Sequence, residues 1–209
     1  MIVTDIVEIK VGRANKKTAY EIYIDYDYEF LLYKQDIKVY QLEIATEITS
    51  ELYDRIIEDT VFRRAKQKAM AILKYMDRTE KELYSKLKEA HYTDNIIVRT
   101  IEYLKEYRYI DDERYASNYI RFRKNTLSSF SIKTKLMRKG INKDILEKII
   151  AIEYDIEMND ADPEIVAINK AISKKYRDIT DLNYEDKQKL IASLYRKGFD
   201  LDKINRCLK

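Results

Sequence analysis

Two stretches, LMRKGINKDILEKII at 136–150 and LYRKGFDLDKINRCL at 194–208, are one phrase written twice. In each, a leucine is followed four residues later by glycine, then by an apolar residue, then by Asn142 or Asp200. Apolar residues return four and eight positions further on, at Leu146 and Ile150 or at Ile204 and Leu208. This order describes a helix ending at a glycine in the left-handed conformation, an apolar plug, and an N-cap that opens the next helix. The chain holds only three glycines in 209 residues. That two of them, Gly140 and Gly198, share this position marks them as hinges between helices rather than ligand contacts.

A third copy stands upstream at Leu87, His91, Tyr92, Thr93, Ile97 and Ile101, with histidine where the others have glycine. The copies lie 49 and 58 residues apart, which makes an internal repeat. Each has a helix ahead of it, near 62–76, 112–123 and 163–176. The unit is therefore about three helices, and such units bury their apolar stripes by stacking. The helix starts are legible in the same way. Thr79 and Glu82 fit a capping box, and Asp162-Pro163 pairs an N-cap with proline at the first helical position. The longer segment 177–184 absorbs the extra spacing before the last copy.

Ahead of the repeats the period changes. Residues 2–11, 20–28, 29–36 and 37–42 read as strands, with 12–17 as the first turn. A meander of three or four strands needs a cover, and the helical pattern over 49–76 is the expected one. The fold class expected is mainly α, with three tandem three-helix repeats after a small antiparallel β domain. The expected segments are 1–48, 49–110, 111–155 and 156–209.

Charge is informative only in its distribution. Residues 1–48 carry six basic and nine acidic side chains, whereas Arg114 to Lys143 holds nine basic residues and no acidic one. Lys124, Arg138 and Lys139 sit where helix C-termini favour cations, yet thirty residues without a carboxylate point to an acidic or polyanionic partner. The acidic triplet 111–113 is a cap, with Asp111 at the N-cap and Asp112 and Glu113 in the first turn. His91 and Cys207, each the sole residue of its kind, lack companions at metal-ligand or triad spacing. No metal, cofactor or catalytic group is therefore expected. No apolar run reaches membrane-span length, no secretion signal opens the chain, and the single cysteine agrees with a reducing cytoplasm.

The segment YRYIDDERYASNYIRFRKN at 107–125, followed by a basic helix and LMRKGI, resembles the central motif of the RecX family, regulators of the RecA recombinase. The resemblance spans about 62–209, and the part at 109–140 is the specific one. Arg108, Thr126 and Ser128 stand where that family often carries glycine. The resemblance implies a non-enzymatic protein that lies in the groove of the RecA nucleoprotein filament. There it would restrain ATP hydrolysis, filament growth and strand exchange. A monomer is expected. The residues expected to meet that partner are Arg114, Tyr115, Arg121, Arg123, Lys124, Lys133, Lys135, Arg138 and Lys139. The alternative is a helical-repeat protein that binds single- or double-stranded DNA and acts without RecA. Basic contacts of either kind weaken with salt.

Overall fold

The computed structural model describes residues 1–12, 14, 16–155, 161–176 and 182–208. The chain divides into two compact units, Met1–Ile110 and Asp111–Lys209.

The first unit opens with three antiparallel strands in sequential order: β1 (Val3–Val11), β2 (Lys17–Ile24) and β3 (Asp27–Leu32). Ile6 faces Ile22, and Ile22 faces Phe30 across the second pairing. The turn read at 12–17 falls between β1 and β2, although Arg13 and Asn15 lie outside the described residues. The sheet has no core of its own. Ile22, Ile24, Phe30 and Leu32 pack with Ile56, Val61, Ala65 and Ile96 from the helices that follow. A sheet of this size needs such a cover to stay folded.

Of residues 37–42, read from sequence as a strand, 37–40 belong instead to helix α1 (Lys34–Tyr40), and Gln41 is its left-handed C-cap. A cap decides the matter. The amide of Tyr33 donates to Asp36 Oδ2 at 2.8 Å, and Arg64 grips both oxygens of that carboxylate at 2.5 and 2.9 Å. Ile37 and Tyr40, one turn apart, pack on the core while Val39 between them is exposed. A helical period thus overrides the β-branched composition. The long helix expected over 49–76 is present, but it changes gauge: α2 (Ser50–Ile56) runs through a π-helical stretch, Ile57–Phe62, into α3 (Arg63–Tyr75). The wider turn places Ile56, Ile57, Thr60 and Val61 all on the buried side, with Tyr40 Oη and Thr60 Oγ1 hydrogen-bonded at 2.7 Å. Helices α4 (Glu80–Lys88) and α5 (Asp94–Glu106) complete the unit. The Thr79–Glu82 box closes at 3.2 and 3.3 Å, and Ala69, Leu83, Leu87, Ile97, Ile101 and Leu104 form the core of this first triplet.

The second unit holds two triplets: α6 (Asp112–Arg123), α7 (Ser129–Arg138) and α8 (Lys143–Glu153), then α9 (Pro163–Ser173), α10 (Tyr184–Arg196) and α11 (Leu201–Cys207). Each has a core built from the repeat positions. Leu136, Ile141 and Leu146 are buried in one, and Leu194, Phe199, Ile204 and Leu208 in the other. Asp111, Ser128, Asn142, Asp162, Asn183 and Asp200 all cap with their side chains, as their residue types require. Of the segment 177–184 read as a linker, residues 177–181 lie outside those described.

The repeated phrase has one backbone explanation. His91, Gly140 and Gly198 take φ of 65°, 96° and 83°. In each copy the amide of the following plug residue reaches back to the leucine carbonyl five positions earlier: Tyr92 to Leu87, Ile141 to Leu136, and Phe199 to Leu194, at 3.1–3.3 Å. A second bond joins the left-handed residue to the carbonyl three positions earlier, at 2.8–3.0 Å. These are the paired bonds of a Schellman end, which satisfy carbonyls a helix terminus otherwise leaves open. Arg108, where glycine was expected by resemblance, adopts the same geometry at φ 55°, with Tyr109 donating to Leu104 at 2.8 Å. The turn keeps its shape without glycine and carries a steric cost instead.

Candidate partner-binding surface

The acid-free run occupies α6, α7 and the turn between them, but its cations do not share one fate. Near the end of α6, Arg121 Nε donates to Glu153 Oε1 at 2.7 Å, and Ser117 Oγ donates to the same oxygen at 2.8 Å. Lys124 Nζ donates to the main-chain oxygen of Glu153 at 2.9 Å and stands 3.8 Å from its Oε2. Glu153 ends α8 and is 7% exposed, so a nearly buried carboxylate is compensated by two cations and a hydroxyl. Lys124 also meets the open C-terminal carbonyl of α8, where the helix dipole favours positive charge. These two cations are committed inside their own triplet.

On α7 the pattern differs. Lys133 Nζ pairs with Glu147 Oε1 at 2.6 Å, and that hydrogen bond, reinforced by the charges of Lys133 and Lys143, holds the Glu147 carboxyl below its usual range. Lys139 Nζ lies 5.5 Å from the centroid of the Tyr115 ring, which is half-buried against the triplet core. Lys135 and Arg138 are exposed, and neither has an ion pair among the described residues. Arg123, also exposed, rests its guanidinium 5.0 Å from the Phe122 ring, itself 76% exposed. Arg114 lies in the first turn of α6, where its amide donates to the Asp111 cap at 2.8 Å. The expected residues therefore separate into a pair committed to Glu153, Arg121 and Lys124, and an outward group centred on Lys135 and Arg138.

What holds α7 in place is the third triplet. Ser128 caps the helix, with its Oγ 3.1 Å from the Ser131 amide, and donates to the Lys197 carbonyl at 2.7 Å. Ser131 Oγ donates to the same carbonyl at 2.9 Å. Lys197 is the C-cap of α10, so two hydroxyls of one triplet satisfy an open helix end of the next. Beside them Glu164 Oε1 accepts from the amide and hydroxyl of Ser129 at 3.3 Å, while its Oε2 meets Lys203 Nζ at 3.1 Å. Lys203 also reaches Asp162 Oδ2 at 2.9 Å; burial opposes ionisation of Asp162, yet this bond and the helix-start amides hold its carboxyl below the usual range. Gly198 completes the joint. A Cβ there would stand 2.7 Å from Phe130 Cδ1 and 3.1 Å from Ser128 Oγ. Thus Gly198 is required by its positive φ and by the base of α7 pressed against it.

Sequence reading did not reveal Glu153, Glu147, or the serine clasp on Lys197. Only the first had a usable signal: it is the acid that closes the third helix of the central triplet, whose ends must meet those of the first. Among the described residues no cluster of metal-ligating side chains forms, and no helix is long and apolar enough to cross a membrane.

Comparison with known proteins agrees with this architecture. Residues 65–104 match the family model described as RecX, first three-helix domain, and 162–208 match RecX, third three-helix domain. The regulatory protein RecX of Clostridium acetobutylicum is 30% identical over 201 residues, covering 95% of this chain and 92% of its own. That of Clostridium perfringens strain 13 is 33% identical, covering 98% and 94%. A crystal structure of regulatory protein RecX superposes with a TM-score of 0.63 at 23% identity, over 98% of this chain and 97% of that one. RecX from Lactobacillus salivarius gives 0.57 at 27% identity, over 70% and 94%. With its first and third three-helix domains matched and relatives aligned over nearly its whole length, the chain belongs to the RecX family of regulatory proteins.

Proposed function

We propose that this protein performs no chemistry of its own and restrains the RecA recombinase by binding along its nucleoprotein filament. The outward cations of the central triplet, Lys135 and Arg138, form the main contact, with Arg123 beside them. Family membership supports the partner, and the geometry of α7 supports the surface. Two cations without a counter-ion among the described residues stand on a helix clasped at its base by a neighbouring triplet, so a partner's negative charge meets them without reordering the scaffold. The segments proposed as the modules of the chain are a small β-rich domain at 1–48 and three helical repeats at 49–110, 111–155 and 156–209. Monomeric action in the cytoplasm completes the reading.

The competing reading is a DNA binder indifferent to RecA. Titrating the protein into the DNA-stimulated ATPase of RecA at several DNA concentrations separates the two. A filament modulator reaches half-inhibition at a protein concentration that follows RecA and not free DNA. Half-inhibition rising in proportion to added DNA would replace the first reading with the second.

A further inference from the structure

The joint between the second and third triplets contains a cavity of about 660 Å³. Its walls are the turn into α7, the end of α9 and the last two turns of α10. Small-molecule pockets occupy roughly 300–1,000 Å³ and often lie between packed helices. The floor is apolar, made of Leu190, Leu194 and Phe199 from the third core with the half-buried Leu127 beside them. Phe199 is the single aromatic residue among the described lining residues and is only 3% exposed. Leucine side chains therefore meet an occupant where a ring face would otherwise, which suits an aliphatic body better than a flat one.

The rim is cationic. Lys170 and Lys174 stand one turn apart on α9, Lys175 follows, and Lys197 ends α10. All four are exposed and form no ion pair among the described residues. Lys170, Lys174 and Lys197 lie at helix C-termini, which favour cations, so their position alone has a structural cause. Their surroundings add the second element: neither a carboxylate nor an arginine occurs among the described lining residues. Planar carboxylates are matched by arginine forks, whereas the compact lysine ammonium meets phosphate oxygens as a point charge. Ser128 and Ser131 cover the Lys197 carbonyl, the oxygen on this wall that would repel an anion. The half-buried Ser193 has no hydrogen bond among the described residues, which leaves its hydroxyl available to a ligand oxygen.

We infer that this cavity binds a small phosphate monoester with an aliphatic body, its chain on the leucine floor and its head among Lys170, Lys174 and Lys197. The site uses none of the cations assigned to the filament contact, so its test is independent of that reading. Isothermal titration calorimetry of the full chain with monooctyl phosphate, kept below its micelle concentration, is compared with n-octanol, inorganic phosphate and octanoate. Octyl phosphate should bind one per chain and at least about tenfold more tightly than any of the three, since each lacks the chain or the phosphate head. Lys170→Ala/Lys174→Ala replaces two exposed residues by a good helix former and should weaken binding at least about fivefold. Ser193→Phe, which fills the cavity with a ring, should weaken it as well, and circular dichroism checks both folds. Absence of binding, octanol or octanoate binding as tightly, or unchanged affinity in a folded variant would overturn the site. So would pelleting of the protein with phosphatidic acid vesicles without affinity for monomeric octyl phosphate, which would assign these lysines to a membrane surface.

Discussion

Helices α6 and α7 carry cations of the same two types within one acid-free stretch, yet they put them to different uses. At the end of α6, Arg121 and Lys124 both neutralise Glu153, Lys124 largely buried and Arg121 still solvent-exposed. On α7, Lys133 is paired, but Lys135 and Arg138 face outward from a helix whose base is clamped by Ser128, Ser131 and Gly198. A window of sequence without acids is therefore not a surface without acids. Counter-charge arrives from wherever the fold brings a carboxylate, and α8 brings one to α6. What separates the two groups of cations is whether a partner exists inside the same triplet, and the proposed contact falls to the group without one.

The clamp under α7 should show the largest effect. Gly198→Ala adds a methyl 2.7 Å from Phe130 at a φ of 83°, and the combined strain and overlap should cost about 3 kcal/mol in urea unfolding. A cost below about 1 kcal/mol would mean that the joint yields and that α7 is not rigidly mounted. Next comes the interior ion cluster. Glu153→Ala leaves Lys124 facing a site without its counter-charge, and because Arg121 remains well solvated the expected loss is about 2 kcal/mol rather than the full cost of breaking a buried pair. Its restoration by Glu153→Asp would be poor, since the shorter side chain cannot serve Ser117 and Arg121 together.

In the first triplet, His91→Gly should stabilise by up to about 1 kcal/mol, because glycine removes the left-handed penalty. The gain is reduced by losing the 3.2 Å contact from His91 Nδ1 to Glu21, whereas the bond that Tyr28 Oη donates to the His91 carbonyl survives. Smallest of all is Lys135→Ala/Arg138→Ala, expected to change stability by less than about 0.5 kcal/mol. That null result is what separates α7's cations from those of α6. A substantial loss there would place both groups in the scaffold and erase the distinction.

Much of the helical part was legible because its punctuation is local. Glycine at φ above zero, serine, asparagine or aspartate at the cap, and proline after Asp162 act within a turn or two, so Schellman ends and N-caps can be read from spacing alone. Residues 37–42 misled because Ile37, Val39 and Tyr40 have strand-like composition, while the deciding interaction, Arg64 on Asp36, spans 28 residues. The π-helical stretch at Ile57–Phe62 was equally hidden: its gauge follows from packing against the sheet rather than from any residue preference. The candidate contact surface was legible as a charge run but not as a charge balance. Glu153 lies 32 residues from Arg121, and only the assembled triplet shows that the two belong together.

The central claim is that outward cations on α7, not the run as a whole, carry the contact with the RecA filament. Inhibition of RecA's DNA-stimulated ATPase by Lys135→Glu/Arg138→Glu tests it most directly, with thermal unfolding confirming an intact fold. The account predicts that this variant needs at least about tenfold more protein for half-inhibition, a shift equivalent to about 1.4 kcal/mol. Half-inhibition at the wild-type concentration would contradict it.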